Sequence, residues 1–215
     1  QEIVKLEGLK RLRFSSLDPN EFSAELIDVL ITNPLIMPNY HIALQSGSDR
    51  ILALMRRKYD LATYKNIIKS LQEKLPLLNV STDIMVGFPG ETIEDHQQSL
   101  DFAREMGFGS MHVFAYSKRK GTKAALFIDQ VSDQDKEHRS KEMLALAEEQ
   151  KLKFYRNFID SKLEVLFEQE QQGLWFGHTS NFLKVVVASI VDLRGKYFMV
   201  QLNSIEADYL KGELC

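Results

Sequence analysis

Cysteine is nearly absent: of 215 residues only Cys215 carries a thiol. One thiol excludes a disulfide framework, and it cannot by itself hold an iron–sulfur cluster, which takes several thiolates. It reads as a free thiol on a frayed tail, and the lack of disulfides fits a reducing, cytoplasmic setting. Long apolar runs are missing too. No segment approaches the roughly 20 apolar residues of a spanning helix, so no membrane partner is expected. Charge of one sign is also lacking. Lys and Arg number 27 and Asp and Glu 30, a net charge of −3, which supplies no global pull toward nucleic acid or membrane. The opening Gln1-Glu2-Ile3-Val4-Lys5 has neither the basic-then-apolar plan of a signal peptide nor an initiating Met. The chain is therefore expected to be the carboxyl-terminal part of a longer protein.

What is present is a strand–helix alternation. Arg11–Ser16 reads as a short strand ended by Asp18-Pro19. Asn20 can cap a helix over Glu21–Ile31 with Phe22, Leu26, Val29 and Leu30 at helical spacing. Tyr40–Leu44 is the next strand, followed by a helix capped at Ser48 or Asp49 and another after Asp60 that ends at Pro76. Val80–Val86 is a strand and Phe88-Pro89-Gly90 a turn. Thr92 opens a helix to about Met106, with Gly107 as its C-cap. Ser110–Tyr116 is a fourth strand. A long helix from about Ser132 to Phe158 carries Met143, Leu144, Ala147 and Leu152 on one stripe. Such alternation implies parallel strands with right-handed crossovers, here half of a β/α barrel. From about Ile159 the segments become short and turn-separated, with turns at Gln171-Gln172-Gly173, Asp192–Gly195 and Asn203-Ser204. That is the spacing of a small antiparallel barrel. The expected fold class is α/β, with a partial parallel β/α barrel over 1–158 and a small antiparallel β-barrel over 159–215. An exposed half-barrel edge is a liability, so a dimer through that edge is one expected partner arrangement.

In a parallel β/α barrel the working residues sit at the carboxyl ends of the strands. The candidate ends are Ser15-Ser16, Gln45-Ser46-Gly47-Ser48, Gly87-Phe88-Pro89-Gly90-Glu91 and Tyr116-Ser117. Along 80–87, Thr82, Ile84 and Val86 share one face and Asp83, Met85 and Gly87 the other. If the second set faces the lumen, it offers a carboxylate, a thioether able to lie on a purine, and bare backbone. Asp83 needs a partner, which is either structural or a ligand. Arg56-Arg57-Lys58-Tyr59 reads as a basic helix end or as a clamp for a carboxylate. Lys118-Arg119-Lys120-Gly121-Thr122-Lys123 is the densest basic run, either a solvated loop or a phosphate-contacting segment. Trp175, Phe176, His178, Asn181 and Phe182 cluster as groups able to stack on unpaired bases, with Phe182 equally suited to a core. Acidic residues outnumber basic ones from Asp160 on, which weakens a purely electrostatic case there. His138 and the other histidines show no metal-ligand spacing, so no metal site is expected.

Five stretches carry a resemblance: Arg11-Leu-Arg-Phe-Ser-Ser, Leu44-Gln-Ser-Gly-Ser-Asp, Met55-Arg-Arg-Lys-Tyr, Asp83-Ile-Met-Val-Gly-Phe-Pro-Gly-Glu-Thr, and His112-Val-Phe-Ala-Tyr-Ser-Lys-Arg-Lys-Gly-Thr-Lys-Ala. Their order and spacing resemble the methylthiotransferase family of radical S-adenosylmethionine enzymes. Residues from about 159 resemble the TRAM domain that closes those enzymes. The resemblance implies S-adenosylmethionine and two four-iron clusters in the full-length enzyme, the clusters held by a segment that precedes these residues. The fragment itself is therefore expected to be inactive, with no cofactor bound and no catalytic residue of its own. The resemblance implies that Gln45 and Ser46 hold the ribose or methionine end of the cofactor, Arg57 its carboxylate, and Met85 and Gly87 its adenine, with Ser15, Ser16 and Asp83 in the same cavity. It further implies that Lys118, Arg119, Lys120, Lys123, Trp175, His178 and Asn181 meet a tRNA anticodon stem-loop. The leading branch acts on threonylcarbamoyladenosine. The isopentenyladenosine branch is next and the ribosomal-protein aspartate branch third. Two departures stand out: Lys120 where proline is usual, and Met85 where isoleucine is common. A non-catalytic RNA-binding module is the alternative of a different class.

Overall fold

The computed structural model describes residues 2–215. Its first part is a parallel sheet of β1 (Asn39–His41), β2 (Asn79–Val86) and β3 (Ser110–Ala115), in that spatial order. The expected strand at Arg11–Ser16 is reduced to isolated parallel bridges, Leu12 to Ile36 and Leu17 to Ile42. Three full strands and a partial fourth thus make an open arc.

Helices α1 (Ala24–Thr32), α2 (Asp49–Leu54), α3 (Leu61–Gln72), α4 (Ile93–Met106) and α5 (Asp133–Arg156) surround the sheet. Side-chain oxygens of Ser23, Ser48, Asp60, Thr92 and Ser132 accept from backbone N–H groups in their first turns. Each cap satisfies donors that the helix leaves free. The first cap corrects the sequence reading. Asp18 and Pro19 hold Pro19–Glu21 in a tight 3-10 turn, so Asn20 is consumed there and α1 starts after Ser23. Helix α4 has a reciprocal capping box between Thr92 and Asp95 and ends at Gly107, whose φ of 65° needs no Cβ accommodation.

The period-two reading of β2 holds. Thr82, Ile84 and Val86 are buried under the helices, while Ser81, Asp83 and Met85 are half-exposed on the concave face. The core beneath the sheet gathers Tyr40, Ile42, Leu44, Tyr64, Ile68, Ile84 and Phe108. On α5 the buried stripe is Arg139, Met143, Leu146, Gln150 and Tyr155. Leu144, expected on that stripe, is exposed, because the helix turns its 143/146/150 face inward instead.

The second part is a closed barrel of β4 (Lys162–Gln171), β5 (Leu174–Thr179), β6 (Lys184–Ala188), β7 (Tyr197–Glu206) and β8 (Tyr209–Leu214), ordered β4-β5-β6-β8-β7. All pairings are antiparallel except β6 with β8. Closure by β4 on β7 removes the free edges. The turn expected at Asn203-Ser204 is instead a register irregularity inside β7, and the chain reverses at Ala207, where φ is 50°. Val165, Phe167, Trp175, Val185, Val200, Leu202 and Leu210 fill this barrel, and Tyr155 at the end of α5 and Phe158 just after it join that core.

The two parts are tied side chain to backbone. Arg11 donates to the carbonyl of His178 at 3.0 Å, and Asn79 donates through Nδ2 to the carbonyl of Asn181 at 2.9 Å.

Candidate active-site cleft and cofactor cavity

Two concavities open along the concave face. The smaller, about 330 Å³, is lined by Gln45, Met55, Arg57, Met85, Phe88 and Lys123, among others. Gln45 has φ 69°, a left-handed conformation uncommon outside glycine. It is held there because its N–H donates to the carbonyl of Asp83 at 2.8 Å and its carbonyl accepts from Met85 at 2.9 Å. The strand pairing fixes the backbone and leaves the amide side chain at the cavity wall. Arg56 adopts φ 60°, where the chain leaves α2. Among the described residues, Arg57 and Lys123 have no ion-pair partner. Behind the cavity, Phe88 meets Tyr116 and Phe127 edge to face, with centroids 5.5 and 6.2 Å away.

Five residues expected at this cavity lie elsewhere: Ser46 and Gly87 are buried, and Ser15, Ser16 and Asp83 line the larger concavity instead. Ser46 is fully buried, with its hydroxyl 3.4 Å from that of Ser99 and accepting from the N–H of Ser48 at 3.2 Å. Gly47 explains why. A Cβ there would sit 2.5 Å from the Cα of Ser99, so the loop lies directly against α4. Ser46, Gly47 and Ser48 fasten the loop, and Gln45 alone of that motif reaches the cavity. Gly87 is covered as well. Its N–H donates to Glu91 Oε2 at 2.7 Å, and a Cβ would collide with the Lys136 side chain. Glu91 is in turn buried against Arg139 at 2.6 Å, so this turn is built inward.

The larger concavity, about 760 Å³, lies between the concave face and the small barrel. Ser15 and Ser16 stand exposed on its wall, and Asp83 lines it as well. The partner of Asp83 is a pair of imidazoles on the neighbouring strands. His41 Nε2 is 3.3 Å from one carboxylate oxygen and His112 Nδ1 is 3.2 Å from the other. These three side chains meet in space although the histidines show no metal-ligand spacing along the sequence. Linear spacing hides the set because parallel register, not sequence distance, puts Asp83 opposite His112 and His41 opposite Ser81.

Across the cleft, Arg13, Phe182 and His178 form a stack. The Arg13 guanidinium is 3.3 Å from the Phe182 centroid, and the His178 ring lies 4.2 Å away on Phe182 at an interplanar angle of 9°. Burial lowers the pKa of Arg13, opposed by the charge of Glu168. Phe182, at φ 65°, is turned outward into the cleft rather than into the barrel core. Trp175 and Asn181, expected to meet RNA, are both buried. Trp175 packs among the barrel's aliphatic residues. Asn181 accepts from the Thr179 hydroxyl at 2.6 Å. Hydrophobic burial decided the first and turn hydrogen bonding the second. Lys118, Arg119 and Lys120 project from the exposed loop after β3, tightened by Thr122 bonding the carbonyl of Arg119 at 2.8 Å. Arg13, His41, His112 and Tyr155 line the cleft without having been singled out in the sequence. Only the alternation of Arg11 and Arg13 along one short strand was a usable signal for any of them.

Residues 1–103 match the family model described as the Radical SAM superfamily. The chain is 35% identical, over 98% of its length, to the threonylcarbamoyladenosine tRNA methylthiotransferase MtaB of Bacillus subtilis, of which it covers 48%. It is 45% identical over 161 residues, 75% of the chain and 32% of the relative, to a tRNA-2-methylthio-N(6)-dimethylallyladenosine synthase of Nocardia farcinica. Among solved structures it resembles the coproporphyrinogen III oxidase HemN of Escherichia coli, described as a radical SAM enzyme. The TM-score is 0.53 at 15% identity, over 77% of this chain and 46% of that one, a likeness of fold. The chain spans about half the length of the MtaB relative. With the matching strand ends at the mouth of an open parallel arc, it is similar to radical S-adenosylmethionine methylthiotransferases over about half of their length.

Proposed function

We propose that this chain is the cofactor- and RNA-facing half of a cytoplasmic tRNA methylthiotransferase that acts, at full length, on threonylcarbamoyladenosine beside the anticodon. The observation that carries this reading is the small cavity where Gln45, Arg57, Met85 and Lys123 converge at the carboxyl ends of parallel strands.

The residues present fit S-adenosylmethionine. Arg57, unpaired among the described residues, can clamp a carboxylate bidentately. The Gln45 amide can bond the ribose hydroxyls or the methionine end, and the Met85 thioether offers a soft surface to the adenine. When bound with its cluster, the cofactor supplies the radical chemistry of the family. The same residues do not fit an iron–sulfur cluster, since the one thiol, Cys215, lies exposed at the chain end. No step through a cluster is assigned to this chain, and it is expected to bind without turning over.

The larger cleft adjoins the cavity along the same face and is where a base would enter. On its far wall the His178 ring, at the end of the Arg13–Phe182–His178 stack, offers a stacking surface, and the Lys118–Lys120 loop offers charge for phosphates. The closed barrel reads in this scheme as a TRAM-like module. Isopentenyladenosine is the second reading, favoured by the 45% identity to the Nocardia farcinica relative.

The test uses the full-length protein of the same gene, reconstituted anaerobically with anticodon stem-loops, with products read by mass spectrometry. A methylthio mass gain only on threonylcarbamoylated RNA is expected. Gain on isopentenylated RNA instead moves the substrate, and no gain on either overturns the reading. In the same protein, Arg57→Ala should weaken S-adenosylmethionine binding by about 10- to 100-fold, the worth of a charged hydrogen-bonding pair. Unchanged affinity would remove the carboxylate role of Arg57.

A further inference from the structure

The set His41, Asp83 and His112 is not used by the reading above. It sits on three adjacent parallel strands, on the concave face, at the floor of the larger cleft. One ligand atom from each residue lies within 4.8 Å of the others. We infer that these three side chains form a binding site for one divalent first-row transition-metal ion of the zinc type, with its remaining coordination positions open to the cleft.

The geometry supports an ion. An ion bound at about 2.1 Å by nitrogen and oxygen ligands sets neighbouring ligand atoms roughly 3.0–3.5 Å apart. The two nitrogen–oxygen separations here are 3.3 and 3.2 Å. Each carboxylate oxygen faces a different imidazole, so one ion can be shared by all three residues with little motion. The imidazole rings of His41 and His112 stack at 5.7 Å and 27°, which holds both nitrogens toward the carboxylate.

A supporting contact points the same way. His41 Nδ1 is 3.2 Å from the hydroxyl of Ser81, the residue paired with it across the strands. A hydrogen bond at one ring nitrogen orients the imidazole and leaves the other nitrogen to a metal. In the tautomer where Nδ1 donates to Ser81, the bare Nε2 faces a carboxylate oxygen, and an ion can lie between these two acceptors.

The charge arrangement agrees. No Lys or Arg pairs with Asp83 among the described residues. The cleft's lysines are engaged elsewhere, Lys184 with Asp208 at 2.8 Å and Lys151 with Glu148 at 3.6 Å. Two imidazoles and one carboxylate suit zinc, cobalt, nickel or iron(II) rather than magnesium or calcium, which prefer all-oxygen shells. Three protein ligands are one short of a closed structural site, so such an ion can take a further ligand from the cleft. His112 is the exposed ligand, with 60% of its side chain accessible, against 17% for His41 and 27% for Asp83. The ion therefore has an entry path.

The experiment uses this chain carrying Cys215→Ser, so that the thiol cannot bind metal, stripped with a chelator and dialysed. Zinc affinity is measured against a chromophoric chelator, and cobalt(II) is added to read its visible spectrum. The expected result is one equivalent of either ion with cobalt d–d bands, and about a tenfold or greater loss of affinity in each of His112→Ala, Asp83→Asn and His41→Ala, since weaker outer contacts alone cost that much. His112 lies on the surface, so its variant should keep the parent melting temperature and separate metal loss from unfolding. Absence of binding in the parent overturns the site. So does a full equivalent retained at unchanged affinity by His112→Ala and Asp83→Asn. The readout is independent of methylthiotransfer, so its failure leaves the cofactor-cavity reading standing.

Discussion

The guanidinium carbon of Arg13 sits 3.3 Å from the centroid of Phe182, although 169 positions separate the two in the chain. Arg13 also donates to Asn39 Oδ1 at 2.7 Å, so one side chain ties β1 to the small barrel. Cation–π pairs of this kind are worth about 0.5–2 kcal/mol, depending on desolvation. In urea denaturation, Arg13→Ala and Phe182→Ala should each destabilise the chain, and the double variant should lose less than their sum. A coupling energy near zero would show that the stack does not contribute to holding the two parts together.

The stack also shows where the sequence was and was not legible. Strand and helix positions followed from periodicity and caps, because those are local rules: Thr92 to Gly107 frames α4 as expected. The turn positions of the small barrel were mostly legible for the same reason. What escaped was decided by partners far away in sequence. Ser46 looked like a ligand until Ser99 was placed beneath it. Trp175 and Asn181 looked like RNA contacts, but the barrel core and a turn claimed them. Conversely, His41 and His112 looked unrelated until the parallel register set both beside Asp83.

Gly47 is required by close approach rather than by its own backbone. A methyl group there would lie 2.5 Å from the Cα of Ser99, a main-chain atom that cannot swing away. Gly47→Ala should therefore cost about 1–3 kcal/mol, the usual price of overpacking a tight contact. It should also push the loop that carries Gln45. Thermal melting checks the first effect, and cofactor affinity in the reconstituted full-length protein checks the second. An unshifted melting temperature would mean that α4 yields to the added group.

Acid should weaken the chain in two steps. Burial lowers the pKa of His96 below its ordinary 6.5, opposed by Glu91 and Glu142. Below that ordinary value the unfolded state takes a proton that the folded state refuses, so stability falls as pH drops through this range. For Asp95, burial raises the pKa, but hydrogen bonds from Arg50, the Thr92 backbone and Ser48 outweigh it, and the net shift is well below the ordinary 3.8. Its stabilisation is present above the unfolded value and is lost as pH falls below about 4. Urea midpoints measured from pH 7 to 3 should decline in both windows. In Asp95→Asn the lower decline should shrink, and an unchanged acid limb would exclude Asp95 as its source.

The proposed RNA surface divides into charge and stacking, and the two respond differently to salt. Each lysine or arginine that neutralises a phosphate releases counterions and adds roughly 0.7–0.9 to the slope of log affinity against log salt. Replacing Lys118, Arg119 and Lys120 together by alanine should flatten that slope by about 2 in the full-length protein bound to an anticodon stem-loop. His178→Ala, which removes the terminal ring of the stack, should instead weaken binding at every salt concentration by a similar factor, since stacking is worth about 1–3 kcal/mol per base and releases no ions. Filter-binding titrations from low to moderate salt distinguish them. If the triple variant lowers affinity without changing the slope, the loop does not touch phosphates. If His178→Ala leaves affinity intact, the stack serves only to hold Arg13 and the base enters elsewhere along the cleft.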